Sequence, residues 1–252
     1  PPVESTDDPA PELVDAQALH QNTAGWPAGL RLSLVALKTR PGGRRGTLTD
    51  RYLFDYLATE VFGRIEPALK DFLIRTSRLP FVTPMLARQL SHRPDAREIL
   101  AELRDRRMFT DRRSGEIEIY EYHPLFRQYL HRHTYNEWGP ARTAELIGDS
   151  ADALASRGNE EAALELYLDA ARWDEAARLM LAQAPSCMAL GRLATLERWI
   201  ERMPETTRVQ RPWIEYWLGT CRTLVDPAQG RALLERSFAR FKAANDRAGC
   251  LT

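Results

Sequence analysis

The chain carries no net charge. Its 35 lysines and arginines are matched by 35 aspartates and glutamates, so no field of one sign is available to hold DNA, RNA or an anionic membrane non-specifically. No apolar run is long enough to cross a bilayer. Cysteine is scarce: Cys187, Cys221 and Cys250 are odd in number and far apart. That pattern lacks the close pairs of a zinc site and predicts a reducing, cytoplasmic setting. His131 and His133, two apart on a predicted helix, point to different faces and read as ordinary surface histidines rather than a metal pair. Also missing are a G-x-x-x-x-G-K-[ST] phosphate loop, a nucleophile elbow and a pair of carboxylates in a cleft pattern, and without them the chain does not read as an enzyme.

What is present is helical periodicity, punctuated by proline. The opening "PPVESTDDPAPE" starts on Pro1 and is proline-rich and acidic, which predicts a flexible segment and a chain that is a piece or a processed form of something longer. Helices are predicted over 13–22 and 27–38, the second with Leu30, Leu34 and Leu37 on one stripe. "RPGGRRG" at 40–46 is a breaker and reads as a linker. Beyond it come amphipathic faces at Leu53, Phe54, Leu57 and Val61 and at Leu69, Phe72 and Leu73, a short helix over 85–90, and another from Pro94 to about Arg107. The period then changes. "MFTDRRSGEIEIYEY" has two short extended runs around Arg113, Ser114, Gly115 and Glu116, a predicted β-hairpin with Ile117 and Ile119 on its half-buried face. A helix resumes after His123 with Leu125, Phe126, Tyr129 and Leu130 inward.

From Gly139 onward the sequence is helical throughout. Gly158, Ala163, Tyr167 and Ala170 have the spacing of the second helix of a tetratricopeptide-type repeat, where alanines let helices approach and an aromatic fills the gap. Further faces follow at Trp173, Ala176, Ala177 and Met180, at Leu193, Leu196, Trp199 and Ile200, at Trp213, Trp217, Leu218 and Cys221, and at Leu234, Phe238 and Phe241. Apolar faces in series on paired helices describe a solenoid. The predicted fold is therefore mainly α: a winged-helix-like module with a small β-hairpin, followed by a TPR-like helical-repeat array.

Two stretches invite a functional reading. In "YEYHPLFRQYL", Pro124 keeps His123 out of α conformation and suits the first helical position itself. His123 then sits at or beside a helix start, where orphan N–H groups and the dipole favour an anion and a neutral imidazole. Either it fills the junction with a bond to backbone or it donates to a ligand. The second stretch is Gly25-Trp26-Pro27, which on the residues alone reads as a helix start at Pro27 with Trp26 packing.

The order "TAGWPAGLRLSLVAL", "YLFDYLATEVFGRIEPALKDFLIRTSRL", "ILAELRDRRMF", "YEYHPLFRQYL", "LATLERWIERMPE" resembles the MalT-type regulators, signal-transducing ATPases with numerous domains (STAND proteins), many of them large LuxR-type transcription activators. The likeness runs from about Leu13 to the end, and "GWPAGL" and "YHPLF" in that order are its most specific pieces. It implies three units: the C-terminal helical part of an ATPase module at 1–45, a winged-helix domain at 46–138 and a TPR-like helical domain at 139–252. It also implies that Gly25, Trp26 and Pro27 meet adenine, that His123 touches an ADP phosphate, and that ATP or ADP is a cofactor of the intact parent, a slow regulatory ATPase, rather than of the isolated chain. The implied partners are an upstream nucleotide-binding module, further copies on activation and a small-molecule or protein inducer, with no direct DNA binding and no membrane. A DNA-binding winged helix is the first alternative, with the helix from Pro94 in the major groove, although Asp95, Glu98, Glu102 and Asp105 on that helix would face phosphate. The second is a stand-alone helical-repeat scaffold that binds proteins. Since a P-loop supplies most phosphate contacts, the isolated chain is expected to have negligible nucleotide affinity; micromolar ATP or ADP binding in calorimetry would overturn this.

Overall fold

A computed structural model describes residues 62–106, 108–113, 115 and 117–251. The helices expected over 13–22 and 27–38, the linker at 40–46 and the face of Leu53, Phe54, Leu57 and Val61 lie outside the described residues. A 3-10 turn at Phe62–Arg64 leads to α1 (Pro67–Thr76), α2 (Pro84–Ser91) and α3 (Ala96–Asp105), then to β1 (Thr110–Arg113) and β2 (Ile119–Tyr122). There follow α4 (Pro124–Ala155), α5 (Glu160–Asp169), α6 (Trp173–Ala189), α7 (Leu193–Glu201), α8 (Glu205–Val209), α9 (Pro212–Thr223) and α10 (Pro227–Ala243). Five of these helices open on proline, where its preset φ helps and its missing N–H costs nothing.

The first three helices close around a core of Phe72, Leu73, Leu86, Leu100 and Leu103, all buried. Thr83 caps α2 by accepting from the Leu86 N–H at 3.2 Å, which satisfies one orphan donor of the first turn. The two strands form an antiparallel hairpin in which Thr110 faces Tyr122 and Arg113 faces Ile119. Tyr120 of β2 also exchanges two backbone bonds of 2.8 Å with Val82, so the inner strand is held on both edges. The face of this hairpin differs from the sequence expectation. Ile117 precedes β2 and is 68% exposed, while Tyr120 and Tyr122 point into the core. Side chains alternate with a period of two, so parity decides everything. Tyr122 fixes it, because its hydroxyl meets the buried Thr76 Oγ1 at 2.7 Å.

α4 is two helices joined at a bend. Gly139 takes φ 74, ψ 176 inside it and Pro140 follows. Proline removes one rung of the helix ladder and clashes with the preceding turn, and the residue before it must leave the α region. Before the bend, Leu125, Phe126, Tyr129 and Leu130 are buried with the winged helix; after it, Leu146, Ile147, Ala151 and Leu154 are buried where α4 pairs with α5. Ala163, Ala176 and Ala184 are fully buried, which brings neighbouring helices of the array close, and the buried Trp199 of α7 donates its Nε1–H to Glu165 of α5 at 2.7 Å. In α10 the expected stripe of Leu234, Phe238 and Phe241 is rotated: Gly230, Leu233, Ser237 and Phe241 are buried and Phe238 is 51% exposed. The cause is a close crossing. A Cβ on Gly219 would lie 3.1 Å from the Gly230 carbonyl oxygen, and one on Gly230 would lie 2.7 Å from the Thr223 backbone nitrogen, so the glycine face is the one α9 accepts.

A ladder of charges runs alongside the apolar core. Glu161, Glu165 and Asp169 recur every four residues on α5, and they receive Arg192 (2.6 Å), Arg198 (3.2 Å) and Arg202 from around α7. Arg222 of α9 reaches back to Glu197 and Glu201 of α7. Each exposed pair contributes about 0–1 kcal/mol; together they fix which helix faces lie opposite one another.

The bend gives the first test. A Cβ added to Gly139 would meet nothing within 4 Å, so Gly139→Ala adds no clash and isolates the backbone term. Its φ and ψ lie in a region open essentially to glycine alone, and the substitution should cost about 1–3 kcal/mol in urea unfolding.

Candidate functional site

His123 is the N-cap of α4. Its Nδ1 accepts the Leu125 N–H at 3.3 Å, and its own N–H donates to the Phe109 carbonyl at 2.7 Å. An Nδ1 that accepts leaves the donor role of the ring to Nε2. The half-buried ring stands edge-on to Phe109, with centroids 6.2 Å apart. Phe109 is itself unusual, a bulky residue at φ 52, a conformation costing roughly 1–2 kcal/mol. Stacking on Phe126 at 5.1 Å and the bond from His123 hold it there. Phe109, His123 and Phe126 thus form one braced unit at the point where the wing returns to the helix. Gly25, Trp26 and Pro27, the other candidate residues, lie outside the described residues.

Among the described residues, four arginines of α3 and its flanks have carboxylate partners. Arg97 pairs with Glu118 (2.9 Å), Arg104 with Asp105 (2.6 Å), Arg106 with Glu102 (2.6 Å) and Arg93 with Asp95 (2.6 Å). A hydrogen bond from Arg97 holds the Glu118 carboxyl below the usual carboxylate range, with Arg112 and Arg104 adding to it. This surface is charge-compensated.

A three-helix core, a two-stranded wing registered against Val82 and a histidine-capped helix behind it form a recognisable constellation. Residues 58–142 match the family model described as the MalT winged helix domain. The chain carries a MalT-type winged-helix domain. Similarity extends well beyond it. The serine/threonine-protein kinase PknK of Mycobacterium tuberculosis is 27% identical over 229 residues, 88% of this chain and 20% of that protein. The HTH-type transcriptional regulator MalT of Yersinia pestis is 26% identical over 219 residues, 82% of this chain and 24% of that protein. The chain therefore spans about a fifth to a quarter of the length of these relatives.

In the MalT-type winged helix the two histidines expected at the surface are half-buried. The His131 Nε2 donates to the Ser77 carbonyl at 2.9 Å, and Arg78 Nη2 donates to the His131 carbonyl at 3.3 Å. His133 turns the other way, edge-on to Phe62 at 4.7 Å and stacked on Tyr129 at 5.8 Å. Their separation onto different faces follows from the two-residue spacing. Their burial does not, because it depends on where the segments around Phe62 and Ser77 return to α4. Burial first, then the positive charge of Arg78, pushes His131 down to about 4, against the smaller opposing effect of the Ser77 bond; Arg127 adds to the depression.

That depression has a pH consequence. In the unfolded chain His131 takes a proton as pH falls through about 6.5, whereas in the fold it resists until about 4. The unfolded state binds more protons across this window, so stability declines as pH falls through it, by roughly 3 kcal/mol when complete. Chemical denaturation of wild type and His131→Gln between these pH values should show the variant with the shallower slope.

Proposed function

We propose that this chain is the regulatory, interdomain portion of a STAND-type signal-transducing ATPase that acts as a transcriptional activator, coupling nucleotide state and an inducer to self-association. The observation that carries this is the His123 cap of α4, whose Nδ1 accepts the Leu125 N–H and so leaves the donor role of the ring to Nε2. A phosphate oxygen of ADP, held by an upstream nucleotide-binding module, is a suitable acceptor for that donor. The winged helix then clamps the ADP-bound module shut. ATP and the inducer favour the open form, in which the TPR-like array associates with further copies. Similarity to a MalT regulator over most of the chain supports this reading. A regulator of this kind works in the cytoplasm, and no described helix is long and apolar enough to cross a membrane.

A second reading concerns the output. The chain is as similar to a protein named as a kinase as to a transcriptional regulator, so the same regulatory core would serve a kinase domain equally well. A DNA-binding role for α3 is the weaker alternative, since its arginines are engaged by carboxylates and phosphate would have to displace them.

The test uses the full-length protein. His123→Ala should weaken ADP binding about 10- to 100-fold, the equivalent of one charge-assisted hydrogen bond, spare ATP more and raise basal activity. Loss of the N-cap alone would lower the melting temperature by an amount set by about 0.5–2 kcal/mol. His123→Asn separates the two effects, because asparagine caps well but places no donor at the Nε2 position. It should restore the melting temperature and still lose the preference for ADP. A wild-type ratio of ADP to ATP affinity in His123→Asn would reduce His123 to a cap.

A further inference from the structure

A cavity of about 580 Å³ lies where the winged helix meets the helical array. The turn after α1 contributes Arg78 to its wall, the first segment of α4 contributes His131, the first turn after the bend contributes Pro140 and Thr143, and the end of α5 contributes Asp169. Among the described residues three buried side-chain polar atoms lack a hydrogen-bond partner: Arg78 Nε, Thr143 Oγ1 and Glu215 Oε2. The third lies 2.9 Å from Arg240 Nη1 and so has its charge compensated. The other two belong to residues lining this one cavity.

A buried polar atom left without a partner costs about 1–3 kcal/mol, and two around one cavity need a common explanation. Thr143 is only 5% exposed. Other threonines in the same kind of setting, Thr76 and Thr134, return their hydroxyls to the carbonyl four residues back at 2.7 Å. For Thr143 that residue is Gly139, at the bend, and no such bond forms. Arg78 is anchored through Nη2 on His131. Burial pulls its guanidinium down from the ordinary value, against the raising effect of Asp169. Asp169 does not bond to Nε, and its carboxylate receives Arg202 instead. His131, kept neutral and committed to Ser77, adds no charge. The wall also includes the first turn after Pro140, the positive end of a new helical segment.

An unpartnered cationic donor, an unpartnered hydroxyl and a helix start around one cavity have a shared complement. We propose that the junction cavity binds a small ligand through an oxyanion, a carboxylate or phosphate group seated between Arg78 Nε and Thr143 Oγ1. The site joins residues from both sides of the bend, so its occupant ties the winged helix to the array. It goes beyond the nucleotide reading above and does not depend on it.

The isolated chain, labelled with nitrogen-15, provides the test through the Arg78 Nε–H resonance. Inorganic phosphate and succinate are titrated separately, with chloride at matched ionic strength as the control. The expected result is a saturable shift of that resonance with phosphate or succinate in the millimolar range and none with chloride; whichever anion saturates identifies the preferred group. Thr143→Val keeps the shape, removes the hydroxyl and should weaken binding about 5- to 10-fold, the loss of one hydrogen bond. Arg78→Met should abolish saturable binding. Should Arg78→Met fail to fold, the Nε–H shift and Thr143→Val still decide. Absence of saturation with both anions, or an unchanged affinity in Thr143→Val, would overturn the proposal.

Discussion

The structure depends on one break in one helix. An uninterrupted helix over the 32 residues of α4 would be a rod of about 48 Å, with a single apolar stripe drifting around it. Gly139 and Pro140 divide it into two segments, each free to bury its own face. The first segment closes the winged helix through Leu125, Phe126 and Leu130; the second opens the array through Ala151 and Leu154. The same break deprives Thr143 of the carbonyl its hydroxyl would otherwise use and sets a helix start beside Arg78. Architecture and the junction cavity therefore share one cause, a glycine before a proline.

The His123 unit rests on a different kind of constraint. Tyr122 is pinned from inside by Thr76, and Phe109 is held in a left-handed conformation by its neighbours. His123 stands between them with both of its backbone groups engaged. Such over-determined geometry suits a group that must present one nitrogen in one direction.

Much of this is legible in the sequence, and the exceptions have physical reasons. The proline-led helices, the single hairpin and the position of His123 before a helix follow from local chemistry, since proline and glycine act over one or two residues. The parity of β2 does not, because Ile117 and Tyr122 are comparable candidates until Thr76 is brought alongside. The α10 stripe departs from its pattern for a similar reason: hydrophobicity favours Phe238, whereas the close α9–α10 crossing favours Gly230. His131 and His133 owe their burial to segments more than fifty residues earlier in the chain. Arg78, in "RTSRL", looks like any surface arginine, and Thr143 looks like any helical threonine. Only the folded chain sets them around the same space. Gly25, Trp26 and Pro27, three of the four site residues expected from sequence, lie outside the described residues.

The charge ladder along the array also says something about how such a protein can change over generations. Each acidic face is read by the arginines of a neighbouring hairpin, so the unit of compatibility is a whole helical pair. Inserting a single residue into α5 turns everything beyond it by about 100°, setting Asp169 and part of the apolar stripe off their partners at once. The array is thus intolerant of small changes of length within a helix, because one added residue breaks charge and apolar register together.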